Sequence, residues 1–80
     1  MNSFEDTERA QWLAHSSYLH AKRILDAYDA GQTPPSKYTY SQGRDSARLA
    51  VRRYRRLEMW AEADAAQHVH TRLTALAHYA

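Results

Sequence analysis

Cysteine is absent from the 80-residue sequence, which excludes disulfide bonds and zinc sites with cysteine ligands. Chains without disulfides are typical of reducing compartments, so we predict a cytoplasmic protein. Long apolar runs are also absent: no stretch approaches the roughly 20 residues that cross a membrane, and the acidic start MNSFEDTER lacks the apolar centre of a signal peptide. Residues 1–80 make one small domain with a modest core, so we predict that it associates as a homodimer.

Glycine and proline are scarce, and all four such residues fall within residues 31–43. The segments on either side contain no helix breaker, which predicts an all-α fold. In residues 4–30, small and apolar side chains recur mainly at steps of three and four, the spacing of one helical face. Gly31 suits the position after a helix end, and the two prolines that follow prevent continuation. The stripe of this first helix consists of Ala10, Leu13, Ala14, Ser17, Ala21, Ile24, Leu25 and Tyr28.

The second helical region is predicted to begin near residues 41–45. Steps of four dominate the centre of its stripe, so the stripe rotates around a straight helix with 3.6 residues per turn. Asp64 and Gln67 also have the spacing of a capping pair at a helix start. We therefore predict either a helical hairpin with a long second arm or a three-helix bundle broken near residues 61–64. The stripe consists of Ala50, Tyr54, Leu57, Ala61, Ala65, Val69, Leu73, Leu76 and Ala80.

Catalytic and cofactor motifs are missing from the sequence. It contains no GxxxxGK[ST] or GxGxxG loop for phosphates, and no arrangement of serine, histidine and acid that resembles a triad. The histidines are not spaced so that two of them could bind one metal ion. Only Asp64 and His68, four residues apart, place two possible metal ligands on the same helical face. We therefore predict no enzymatic activity, no cofactor and no metal site. Histidines at a helical interface would make the bundle pH-sensitive. The five histidines of the chain are His15, His20, His68, His70 and His78.

Positive charge is concentrated in one short segment. The whole chain has a net charge of +2, yet residues 44–56 contain six arginines and one acid, Asp45. Like charges four residues apart on a helix repel by a few tenths of a kcal/mol per pair, and an anionic partner relieves this repulsion. The alternative is a hydrated face whose arginine stems cover apolar surface. The predicted partner-binding arginines are Arg44, Arg48, Arg52, Arg55 and Arg56.

The predicted connecting segment, residues 31–43, carries Lys37, Tyr38 and Tyr40 shortly before the first arginine of this basic helix. Tyrosine rings stack on nucleic-acid bases, and lysine binds phosphate, so we add these three residues to the predicted binding surface. The alternative is that the tyrosines fold back over the bundle and cover the loop.

Four large apolar residues lie off the two stripes: Trp12, Leu19, Leu49 and Trp60. Exposed aromatic patches mark interfaces, and tryptophan and arginine dominate binding hot spots. We predict an oligomer interface at Trp12, Leu19 and Leu49, and assign Trp60 to the partner-binding surface. The alternative is that three packed helices bury a wider face than the stripes.

Two functions are compatible with these features. The first is a non-catalytic regulator or inhibitor that docks the arginines on an acidic partner protein, as expected of a small phage or mobile-element accessory factor. The second is a nucleic-acid or nucleotide binder that uses the same arginines with the Lys/Tyr loop. A helix-turn-helix DNA reader requires a short turn between crossed helices, and the break near residues 61–64 is the only candidate.

Overall fold

A computed structural model of the chain describes residues 3–79. Within them the chain forms three α-helices, α1 (Ser3–Asp29), α2 (Thr39–Arg56) and α3 (Trp60–Tyr79), and no strand. The helices pack as a small elongated bundle of 44 × 20 × 18 Å. The all-α fold is therefore confirmed, in the three-helix form of the two predicted architectures. No helix within this part of the chain is long and apolar enough to cross a membrane.

Helix α1 ends as its sequence predicts. Gly31 has a φ of 77°, a conformation that glycine adopts without a steric penalty. The Gly31 N–H donates to the Tyr28 carbonyl at 2.9 Å, and the Gln32 N–H donates to the Ala27 carbonyl at 3.0 Å. These two bonds form a Schellman motif, which satisfies carbonyls that the helix end leaves free.

The connection between α1 and α2 spans residues 30–38, so it is shorter than the predicted 31–43, and α2 begins earlier than residues 41–45. Gly43 consequently lies inside α2 and is buried. A β-carbon at this position would lie 2.9 Å from Ile24 Cδ1 and 3.1 Å from Leu73 Cδ1. Gly43 therefore lets the three helices approach closely and does not mark the end of a linker.

Helices α2 and α3 are separated at residues 57–59, before the predicted break at 61–64. Glu58 has a φ of 56°. Its N–H donates to the Arg55 carbonyl at 3.0 Å, and the Met59 N–H donates to the Tyr54 carbonyl at 3.0 Å. This is a second Schellman motif, with glutamate in the place that glycine usually takes. Asp64 lies inside α3, so its predicted capping role is wrong.

The bundle core consists of two neighbouring clusters along α2. The cluster near the turn between α2 and α3 is Ala14, Ala50, Val51, Tyr54, Ala63 and Ala66. The cluster at the other end is Ala21, Leu25, Ala47, Val69 and Leu73. The end of α2 thus packs against the start of α3, and the earlier part of α2 packs against the later part of α3. The two helices therefore form an antiparallel hairpin, not the crossed pair of a helix-turn-helix reader.

The change of helical phase at residues 57–59 alters which residues of α3 are buried. Ala61 and Ala65, which belong to the predicted stripe, are exposed, whereas Ala63 and Ala66 are buried. The stripe prediction fails here because it assumes an unbroken helix from Ala50 onward. Further along α3 the prediction holds for Val69 and Leu73, and its last residue, Ala80, lies outside the described residues.

Candidate partner-binding surface

Helix α2 separates its small residues from its charges. One side buries Gly43, Ala47, Ala50, Val51 and Tyr54. The remaining side carries four exposed arginines, which we call the basic face: Arg48, Arg52, Arg55 and Arg56. Arg48 and Arg56 are eight positions apart, which corresponds to about 12 Å along a helix axis. The predicted arginine surface therefore exists as a compact patch on the C-terminal half of α2.

The arginines of the basic face have no counter-ion among the described residues. Within residues 3–79 the salt bridges are Lys22–Asp26, Arg44–Asp45 and Arg72–Asp29. The two nearby acids do not pair with these four arginines, since Asp45 pairs with Arg44 and Glu58 makes no salt bridge among the described residues. The four guanidinium groups are thus free to bind an external anion.

Two other arginines of α2 are already engaged. Arg44 is half-buried, and its Nε donates to Asp45 Oδ1 at 3.2 Å. Arg53 is also half-buried, and its Nη1 donates to the Leu13 carbonyl at 3.1 Å and to Ser17 Oγ at 2.7 Å. Arg44 is therefore only partly available for binding, and Arg53 joins α2 to α1.

The connecting segment divides its three predicted binding residues. Tyr38 is 59% exposed, and Lys37 Nζ lies 5.2 Å from its ring centroid, within the range of a cation–π contact. Tyr40 instead packs against the core cluster of Leu73 and meets the Tyr28 ring edge-on, with 6.0 Å between centroids. The alternative of a tyrosine folded over the bundle is correct for Tyr40 and wrong for Tyr38.

The Lys37–Tyr38 pair and the basic face lie at different ends of α2. Tyr38 caps the start of the helix without a side-chain hydrogen bond, and Arg48 follows Thr39 by nine residues, or about 14 Å at 1.5 Å per residue. A partner must therefore extend along most of α2 to contact both. The structure brings the arginines together but does not join the loop to them as one pocket.

All four off-stripe apolar residues are exposed: Trp12 by 66%, Leu19 by 48%, Leu49 by 40% and Trp60 by 60%. The alternative of a wider core is therefore wrong. Leu49 lines a shallow groove with Arg52, Arg53 and Arg56, so it borders the basic face. Trp60 begins α3 directly after the turn that follows this face. Trp12 and Leu19 lie on α1 and form a separate surface.

A histidine beside the arginines was missed as a feature of this surface. The Nε2 atom of His70 is buried without a hydrogen-bond partner among the described residues, and Gln67 Nε2 lies 3.5 Å from its Nδ1. Burial lowers the pKa of His70, the charges of Arg48 and Arg44 lower it further, and Asp45 opposes them. The basic helix thus disfavours protonation of this ring.

The structure also contains a cavity that the sequence did not predict, because the connecting segment folds back to form it. It lies between the end of α1 and the start of α2, beside the ring pair Tyr28–Tyr40, and Pro34, Pro35 and Ile24 supply apolar lining.

The two possible metal ligands that share a helical face, Asp64 and His68, are both exposed on α3. No group of three or more His, Asp or Glu within residues 3–79 is placed to hold a metal ion.

Fold and surface together define a small three-helix bundle with an arginine patch on its central helix. No protein-family model, curated protein or solved structure matches the chain.

Proposed function

We propose that the protein is a non-catalytic regulator or inhibitor that docks the basic face of α2, with Leu49 and Trp60, on an acidic surface of a partner protein. The supporting observation is the set of four exposed arginines without counter-ions among residues 3–79. Guanidinium groups bind carboxylates through two parallel hydrogen bonds. An acidic surface therefore supplies the counter-charge that this part of the chain lacks.

The mixture of side chains favours a protein as the partner. Leu49 lies among the arginines, and Trp60 stands at their end, 60% exposed. Tryptophan and arginine dominate protein–protein hot spots, where an apolar centre is surrounded by polar contacts. The positive charge is confined to one helix face of a chain whose net charge is only +2, so few phosphates of a nucleic acid could be neutralised at once.

Nucleic-acid binding is the second candidate, and the exposed Tyr38 beside Lys37 supports it. A single strand lying along α2 would contact this ring and the basic face in turn. Tyr40 weakens this alternative, because its ring is packed in the bundle and offers no second stacking platform.

The experiment is capture of partners from extracts of the native source after nuclease treatment, followed by binding measurements with the purified partner. Charge reversal of three basic-face residues, Arg48→Glu with Arg52→Glu and Arg55→Glu, should abolish binding. Arg9→Glu is the control, since Arg9 is also exposed and lies on α1. Unchanged binding by the triple variant would refute the role of the basic face.

Direct titration with DNA and RNA oligonucleotides separates the two candidates. A nucleic-acid binder loses affinity steeply as salt rises, because each neutralised phosphate releases counter-ions. We expect no binding to either oligonucleotide at low salt. Tight, salt-sensitive binding that the triple variant loses would replace the protein partner with nucleic acid.

A further inference from the structure

The outward side of helix α1 carries a surface that the proposed function does not use. Its largest side chains, Trp12 and Leu19, are seven residues apart, which is two helical turns, so they stand in one row. Trp12 is 66% exposed and Leu19 is 48% exposed. The core side of the same helix is formed by Ala14, Ala21 and Leu25. The row therefore points away from the other two helices.

Charges flank this row asymmetrically. Glu8 precedes Trp12 by four residues, and Glu5 lies one turn before Glu8. Arg23 follows Leu19 by four residues. All three charged residues are exposed, and none makes a salt bridge among residues 3–79. Lys22 and Asp26 also lie near Arg23, but they neutralise each other in a salt bridge. The row thus has Glu8 at one end and the unpaired Arg23 at the other, at matched distances from its apolar centre. We call this row the α1 face.

We infer that the α1 face is a homodimer interface in which two copies of α1 pack antiparallel. The spacing of the row is symmetric about residues 15–16, so a two-fold axis there places Trp12 against Leu19 of the second copy. The same operation places Glu8 opposite Arg23 of the second copy. Glu5 falls opposite Asp26, whose charge is already paired with Lys22 of its own helix. A two-fold interface requires this kind of self-complementary surface.

Charge complementarity selects both the occupant and the direction. A parallel pair would set Glu8 against Glu8 and Arg23 against Arg23, and like charges opposed across an interface are costly. The antiparallel pair converts both contacts into attractive ones and encloses the two tryptophans between them. A second copy therefore fits this surface without any other partner.

The test is the molar mass of the intact chain in solution, measured by sedimentation across a range of concentrations. We expect a dimer of twice the 9.3 kDa chain mass. Trp12→Ala removes one hot-spot side chain from each copy, worth about 30-fold apiece, so it should weaken the dimer by about 900-fold. Trp60→Ala is the matched control, because Trp60 is similarly exposed but lies on α3; it should leave the dimer unchanged. Far-UV circular dichroism verifies that each variant remains helical.

A charge swap tests the antiparallel direction. Glu8→Arg alone and Arg23→Glu alone should each weaken the dimer, and the double variant should recover most of the lost affinity. In addition, Ser16→Cys places a thiol next to the two-fold axis in this cysteine-free chain, so a short bis-maleimide should link two copies. Ala75→Cys on α3 should not be linked.

Three outcomes would overturn the inference. They are a monomer at every concentration, a dimer that Trp60→Ala disrupts and Trp12→Ala does not, and a double charge variant no better than the single ones. A monomer that still requires the basic face for partner binding would reject the dimer and leave the proposed function standing.

Discussion

The outward faces of α1 and α2 differ in how their charges are arranged. The α1 face has acids at one end, Arg23 at the other and two large apolar residues between them. The basic face of α2 carries four cations of one sign with Leu49 at its side. A surface with both signs can complement a copy of itself, whereas a surface with one sign repels its copy and requires a different molecule. Two neighbouring helices of one bundle are thus suited to different kinds of partner.

The largest expected effect is on the core that holds both faces in place. Tyr54 is 1% exposed, and its hydroxyl lies 2.6 Å from His15 Nδ1 on α1. Tyr54→Ala should lower the free energy of unfolding by about 3–5 kcal/mol through the cavity it leaves. Both faces should then fail together, with loss of the dimer and of partner binding. Urea denaturation measures the change.

The conservative variant separates packing from hydrogen bonding at this position. Tyr54→Phe keeps the ring and removes only the hydroxyl, so it should cost about 1 kcal/mol. A Tyr54→Ala variant as stable as Tyr54→Phe would contradict the role of the ring in joining the helices.

A smaller effect distinguishes two adjacent arginines. Arg53 donates two hydrogen bonds to α1, whereas Arg52 makes none among residues 3–79. Arg53→Ala should lower the free energy of unfolding by about 1–2 kcal/mol, and Arg52→Ala should change it by less than about 0.5 kcal/mol. In a binding assay we expect the reverse order. Equal stability losses in thermal denaturation would contradict the division between binding and structural arginines.

Salt should separate the two faces by affinity. Binding of a poly-aspartate peptide to the basic face relies on charges of one sign, which are screened as salt rises from about 0.05 M to about 0.5 M. We expect this affinity, followed by calorimetry, to fall severalfold. The dimer should change less, because Trp12 and Leu19 at its centre carry no charge. Equal salt sensitivity would mean that charged contacts, and not Trp12 and Leu19, hold the dimer together.

The smallest expected effect is a dependence of stability on pH that arises from His70, on α3 beside the arginines of α2. Because burial lowers the pKa of His70 in the folded protein, the unfolded chain binds more protons between the folded and unfolded pKa values. The free energy of unfolding should therefore be highest above the histidine pKa of the unfolded chain, about 6.5, and should decrease as the pH falls below it. His70→Gln should reduce this dependence in melts at about pH 7.5 and pH 5.5.

A second variant tests the electrostatic part of the same effect. Arg48→Glu replaces a neighbouring positive charge with a negative one, so it should raise the pKa of His70 and weaken the pH dependence. An unchanged profile in both variants would assign the acid sensitivity to other groups.

Much of this architecture follows from the sequence because the decisive residues have local signals. Gly31 and the two prolines mark the end of α1, and helical spacing alone indicates that Arg48, Arg52 and Arg55 avoid the core. The exposure of Trp12 agrees with its position off the stripe of α1. These features depend on a residue's own backbone preference or on its phase along one helix.

The remaining features depend on contacts between helices. The turn at Glu58 uses a left-handed residue that is not glycine, so no breaker marks it, and the error in its position carries over to Ala61 and Ala65. The contact of Gly43 with Ile24 and the bonds from Arg53 to α1 join residues distant in sequence. Helical spacing in one segment carries no information about such pairs.

The composition of the core has a thermodynamic consequence. Within the described part of the chain, six of the eleven buried hydrophobic residues are alanine, and the largest fully buried side chains are Tyr54 and Leu73. Alanine loses no rotamer entropy when it is buried, but it also removes little apolar surface from water. Unfolding should therefore produce an unusually small increase in heat capacity for a chain of this length, since that increase scales with newly exposed apolar area. The stability curve should be correspondingly flat, with weak dependence on temperature on either side of its maximum.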